Sequence, residues 1–162
     1  MRRAAITLAL AFVSAVLTAQ APDAKTSAVA KPQSVTYLFP EQVTIPADKP
    51  ANVDLHFKVA DGLHVNSHKP HSEELIPTAL KFPDADGVKL VSATYPEGAD
   101  YTFASNSGEK LSVYSGEFVI HAQLTAAKGD HLVQATLRYQ ACNNEACFPP
   151  RNIPVAIDVI AQ

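Results

Sequence analysis

The chain has 162 residues, 47 % hydrophobic and 18 % charged, with 12 prolines, 6 glycines and no tryptophan. That length supports one domain with a hydrophobic core, and its punctuation favours an all-β domain rich in turns over a helical bundle. A formal net charge of −3 without a basic patch argues against nucleic acid as a partner, and no internal repeat or heptad pattern is visible.

The N-terminus stands apart from that domain. Arg2 and Arg3 precede an uncharged apolar run from Ala4 to Leu17, and Thr18-Ala19-Gln20-Ala21 supplies small residues for cleavage. Residues 1–21 therefore read as a secretory signal peptide, with an apolar run too short for a confident membrane span. Cleavage after Ala21 fits the usual pattern but leaves Pro22 just past the cut, so cleavage after Ala19 is the alternative. Removing the leader leaves 11 basic residues against 16 acidic ones, a net charge near −5. The mature protein is expected to be soluble, without stable membrane insertion, in an oxidising compartment where paired cysteines persist.

Residues 22–33 ("PDAKTSAVAKPQ") read as a flexible linker, small, polar and broken by proline. From residue 34 onward the hydrophobic period is two. Val35, Tyr37 and Phe39 alternate first, followed by Val53, Leu55, Phe57 and Val59. Leu80 to Phe82, Val88 to Tyr95 and Lys110 to Tyr114 supply further strands. Phe118, Ile120, Ala122 and Leu124 alternate again, as do Val133, Ala135, Leu137 and Tyr139, and finally Val155, Ile157 and Val159. About eight short strands bounded by Pro, Gly, Asp or Asn predict an immunoglobulin-like antiparallel β-sandwich over residues 34–162. Tyr37, Phe39 and Phe57 are assigned to its core.

Both cysteines lie in "YQACNNEACFPP", residues 139–150. Asn143-Asn144-Glu145-Ala146 has turn character, because asparagine tolerates left-handed backbone and caps turns with its side chain. If the chain reverses there, Cys142 and Cys147 face each other at close to the separation a disulfide needs. Pro149 and Pro150 lack amide protons and interrupt any ladder, which places the hairpin at an edge or end of the sandwich. As a brace the bond would be weak: about 2 kcal/mol for a loop of roughly six residues, against nearly 5 for one of about 100. A short surface disulfide is prone to exchange, so a redox role is weighed above an inert staple. The C-x4-C spacing alone is not specific.

The stretch "LRYQACNNEACFPPRNIPVAIDV", residues 137–159, resembles the active-site hairpin of the N-terminal periplasmic domain of the thiol:disulfide interchange protein DsbD. Tyr139 and Gln140 lead into the turn as Tyr-Gln does in that family, and Cys147, Pro149 and Pro150 match the Cys-x-Pro-Pro that leaves it. Residues 62–82, with Ile-Pro-Thr before a strand, resemble a further family segment, and residues 95–120 resemble its cap-loop region. The resemblance implies an immunoglobulin-like fold and a Cys142/Cys147 pair that takes electrons from a thioredoxin-like reductant. Oxidised periplasmic proteins, such as a disulfide isomerase or a cytochrome c maturation factor, would then receive them. It implies an aromatic cap over the pair, for which Phe103 is the first choice and Tyr101 the second. Asp100 and Glu109 are acidic residues that the cap region would bring near the thiols. By the same analogy Cys147 forms the mixed disulfide. The activity implied is that of a protein-disulfide reductase-type relay without a cofactor. The sequence ends at Gln162 without the family's multi-span membrane and thioredoxin-like domains, so a complete product of this length would take electrons from a separate protein.

Two other readings compete. His64, His68 and His71 ("HVNSHKPH") are densely spaced, and with two thiolates they would suit copper or zinc. The plainer reading is a polar loop with solvated or locally bonded histidines, since Pro70 interrupts any helical spacing. His56, His121 and His131 are assigned to the surface. The remaining alternative is a structural module that presents a surface to a protein partner and carries an inert disulfide. No nucleophile elbow or Gly-rich phosphate loop supports a hydrolase or nucleotide enzyme.

Overall fold

The computed structural model describes residues 33–38, 42–83, 87–103 and 110–162. The leader, nearly all of the linker, Phe39 and Glu109 lie outside the described residues. Within them the chain forms twelve β-strands and no helix. They are β1 (Val35–Leu38), β2 (Gln42–Ile45), β3 (Ala51–Val59), β4 (His64–Asn66), β5 (Ala79–Lys81) and β6 (Val88–Thr94). Then come β7 (Ala99–Thr102), β8 (Lys110–Tyr114), β9 (Glu117–Ala126), β10 (Gly129–Tyr139), β11 (Ala141–Cys142) and β12 (Arg151–Ala161).

Three four-stranded sheets result, ordered β1-β3-β9-β6, β2-β12-β10-β5 and β11-β4-β8-β7. The first two supply the sandwich. Alternate residues of β3 and β9, among them Leu55, Phe57, Ile120 and Leu124, join Val133, Leu137, Val155, Ile157 and Val159 of β10 and β12 in one core cluster. Phe57 is fully buried and stacks on Phe118 at 5.3 Å between ring centroids, while Tyr37 is half-buried against it. Burying each such side chain contributes about 1.5–3 kcal/mol, so the alternation itself fixes which face of each strand turns inward.

All ladders are antiparallel except that between β2 and β12, which is parallel over Asp158 to Ala161. This pairing joins distant segments and leaves no local sequence signal. Pro154 sits inside β12 opposite Thr136 of β10, yet the β2 ladder begins only at Asp158. Its missing amide proton therefore falls on a locally unpaired edge, where proline is tolerated.

The third sheet carries the two cysteines' strand and is made of short pieces. An Asp61-Gly62 turn, with Gly62 at φ 77° and Leu63 N–H donating to Ala60 O at 3.1 Å, delivers the chain from β3 into β4. Glycine enters that left-handed region without steric cost. On the way into β7, Gly98 passes so close to its neighbours that a Cβ there would collide with Ser112 Oγ and lie 2.7 Å from Ser67 Cβ. Only glycine lets β7 approach β8 in this way.

Candidate redox site

β11 is the edge strand of the third sheet, and its two residues pair with β4 so that Ala141 opposes Val65 and Cys142 opposes His64. Cys142 and Cys147 form an isolated antiparallel bridge and are joined by a disulfide, with Cα atoms 3.9 Å apart. Asn143 shapes the turn between them. Its side-chain oxygen accepts from the amides of Glu145 at 2.9 Å and Ala146 at 2.8 Å, and its own amide donates to Ala146 O at 3.0 Å. This is the local bonding that asparagine offers a turn.

Gln140 holds the base of the hairpin. Its Oε1 accepts from Asn66 Nδ2 at 3.0 Å and from the Ile76 amide at 3.1 Å, while its Nε2 donates to Phe148 O at 3.2 Å. Phe148 N–H in turn donates to Ala141 O at 2.8 Å. One side chain thus links β4, the segment before β5 and the exit of the cysteine loop. Tyr139 is placed differently: its side chain is buried in the sandwich core, with the phenol pKa raised chiefly by desolvation.

The two sulfurs differ in environment. Cys142 is completely buried, whereas Cys147 is partly exposed among exposed Asn144, Glu145, Ala146, Phe148, Pro149 and Pro150. Phe148, 39 % exposed, presents an aromatic face immediately beside Cys147.

Tyr101 and Phe103 both lie over His64. The ring centroids are 4.0 Å from His64 for Tyr101 and 6.0 Å for Phe103, and the two aromatic rings meet edge-on at 5.8 Å. Tyr101 also reaches the cysteine turn, its hydroxyl donating to Asn144 Oδ1 at 2.8 Å. Asp100 precedes Tyr101 on β7 and turns to the opposite side of that strand, where its carboxylate accepts from Lys110 Nζ at 3.0 Å. That hydrogen bond, with the lysine's charge, holds the Asp100 pKa below the usual carboxylate range.

The three histidines proposed as metal ligands do not converge. His64 is buried beside Cys142; His68 stacks flat on Tyr95 at 3.7 Å, with Nδ1 2.9 Å from Thr78 O. His71 places Nδ1 3.1 Å from Lys110 O. No group of three His, Cys, Asp or Glu side chains able to hold a metal occurs among the described residues. The reason is local: β4 ends at Asn66, so only His64 belongs to a strand, and the loop beyond ties the other two to backbone carbonyls. His121 is at the surface, paired with Asp54 at 2.7 Å. His64 itself is missed by a reading of the segment as polar loop. The signal present was the Asp-Gly turn followed by Leu63-His64-Val65-Asn66, a short extended piece after a strand.

With this geometry in place, the comparisons with known proteins are specific. The family model for the N-terminal domain of the thiol:disulfide interchange protein DsbD matches residues 18–157. The chain belongs to this family. The N-terminal domain of DsbD from Neisseria meningitidis in the reduced form aligns at 20 % identity and a TM-score of 0.46, covering 68 % of this chain and 79 % of that one. The N-terminal periplasmic domain of ScsB from Proteus mirabilis aligns at 13 % identity and a TM-score of 0.52, covering 76 % of this chain and 44 % of that one. The chain thus spans under half the length of the ScsB structure, and the likeness is one of fold. No curated protein matches the chain. Family membership and the Cys142–Cys147 disulfide together make this a thiol–disulfide exchange module with an immunoglobulin-like β-sandwich. No described helix is long and apolar enough to cross a membrane.

Proposed function

We propose that the chain is an exported, periplasmic electron relay. Cys142 and Cys147 are its reacting pair, reduced by a thioredoxin-like protein and reoxidised by disulfide-bearing client proteins. The observation that carries this reading is the unequal exposure of the two sulfurs in an edge hairpin. Cys147 is partly open to solvent beside exposed Phe148, while Cys142 is buried. A partner thiolate attacks the accessible Cys147 Sγ in line with the S–S bond. The intermolecular disulfide forms, the Cys142–Cys147 bond breaks, and the electron pair remains on Cys142 Sγ. The partner's second thiolate then attacks its own sulfur in the mixed disulfide and releases Cys147 as thiolate. Two electrons and two protons are gained overall, and transfer to an oxidised client runs the same steps in reverse. Exchange rates depend on which sulfur can be reached and on the leaving thiol's pKa. Tyr101 and Phe103 form the cap that a docking partner displaces, and Phe148 is the apolar contact offered beside the reacting sulfur.

The test uses single-cysteine variants activated as thionitrobenzoate mixed disulfides, with a thioredoxin-like protein lacking its resolving cysteine. Cys142→Ala, which retains Cys147, should yield the trapped complex rapidly. Cys147→Ala, which retains buried Cys142, should react at least about tenfold more slowly. Equal rates, or no complex with either variant, would contradict the assignment.

A further inference from the structure

His64 is 3 % exposed, and its Nε2 is a buried polar atom without a hydrogen-bond partner among the described residues. An orphaned buried nitrogen is costly, and the great majority of such groups in native proteins are paired. Here the imidazole stands directly across the ladder from Cys142, so both side chains share one face of the third sheet. Tyr101 and Phe103 close over the ring. The orphan and the buried sulfur thus sit together under one lid.

We propose that His64 is the proton and hydrogen-bond partner of Cys142, unpaired while the disulfide is closed and paired when Cys142 becomes a thiolate. The inference deepens the relay reading and rests on it. When attack on Cys147 leaves an electron pair on Cys142 Sγ, that sulfur is a buried anion that water cannot solvate. The imidazole N–H donates to it, and uptake of one solvent proton converts the ring to imidazolium, giving a neutral ion pair. Return attack of the Cys142 thiolate, which closes the disulfide, removes the anion and releases that proton. Burial favours neutral imidazole in the closed state and lowers its pKa, so the ring starts as a donor without charge. Among the described residues, Cys142 of β11 and Tyr101 of β7 are the titratable groups on this face. Asp100 and Lys110 pair with each other on the opposite face of β7 and β8, Tyr114 of β8 stacks on Phe118 in the core, and Glu145 is exposed in the turn.

The test begins with the unaltered protein. Its His64 imidazole is titrated by NMR in the oxidised and the dithiothreitol-reduced forms, with the resonance assigned from the His64→Phe spectrum. The proposal expects proton affinity at His64 to rise at least about tenfold on reduction, as an adjacent anion requires. An unchanged titration overturns it. His64→Phe keeps an aromatic ring under the cap and should slow reduction by dithiothreitol at pH 7 about tenfold. His64→Gln restores an N–H donor and should recover most of that rate while losing its pH dependence. Rates within twofold of the unaltered protein for His64→Phe also overturn the proposal. Exchange with a thioredoxin-like protein is followed in the same samples. Fast exchange without the imidazole shift refutes the His64 role and leaves the relay standing. Slow exchange with the shift refutes the relay and leaves the His64–Cys142 coupling.

Discussion

The Tyr101 hydroxyl donates to Asn144 Oδ1 at 2.8 Å, tying β7, the strand of the proposed cap, to the turn that carries the disulfide. β7 and the cysteine loop occupy opposite ends of the third sheet's strand order, with β4 and β8 between them. This bond therefore bridges two margins that the ladder does not join. Under the proposed cap, access to the sulfurs would depend on this exposed contact, whose net worth is about 0.5–1.5 kcal/mol.

Tyr101→Phe keeps the ring against His64 and removes only that tie. The cap should open more often, and reduction of the disulfide by dithiothreitol should accelerate about threefold, with little change in stability. Pseudo-first-order reduction kinetics measure this. An unchanged rate would show that the cap is held by ring packing alone.

Gln140→Ala tests the base of the hairpin. The substitution removes three hydrogen bonds and leaves the Ile76 amide without this acceptor. Unfolding in urea should show a loss of about 2–3 kcal/mol. A loss below about 0.5 kcal/mol would mean that the hairpin is held by its backbone pairing and the disulfide instead.

Six strands of five to eleven residues, β3, β6, β8, β9, β10 and β12, were legible because their apolar residues recur with a period near two, and burial of that set makes the period compulsory. β1 and β5, at four and three residues, were found because the apolar pattern runs on past them to Phe39 and Phe82. β2, β4, β7 and β11 were not, since two to four residues cannot establish any period. Three of those four build the sheet that holds the candidate site. The cysteine turn was readable from Asn143 and the two prolines, whose bonding preferences act locally. What sets its surroundings is non-local: Cys142 meets His64 only because β11 pairs with β4. Gln140 gains its role from contacts with Asn66 and Ile76, which no spacing announces. The dense spacing of His64, His68 and His71 admits a metal site only as the alternative to a polar loop, since proximity in sequence does not imply convergence in space. A strand end at Asn66 separates them.

Stability should depend on pH through His64. Burial holds its native pKa below the unfolded value of about 6.5, so the unfolded state binds more protons in the interval between them. This contribution is therefore fully present above about pH 6.5 and is lost progressively as pH falls from there through the lower native pKa. In the oxidised protein, urea midpoints measured from about pH 7.5 down to 5 should decline more steeply than those of His64→Phe. Parallel curves for the two proteins would contradict the assignment of that slope to His64.

The reduction potential of the Cys142–Cys147 pair tests the central claim most directly. The protein is equilibrated with glutathione or dithiothreitol buffers, and free thiols are counted at each poise. A relay requires a value above about −300 mV together with rapid exchange with a thioredoxin-like protein. A markedly lower potential with slow exchange would make the bond a structural clip and contradict the relay.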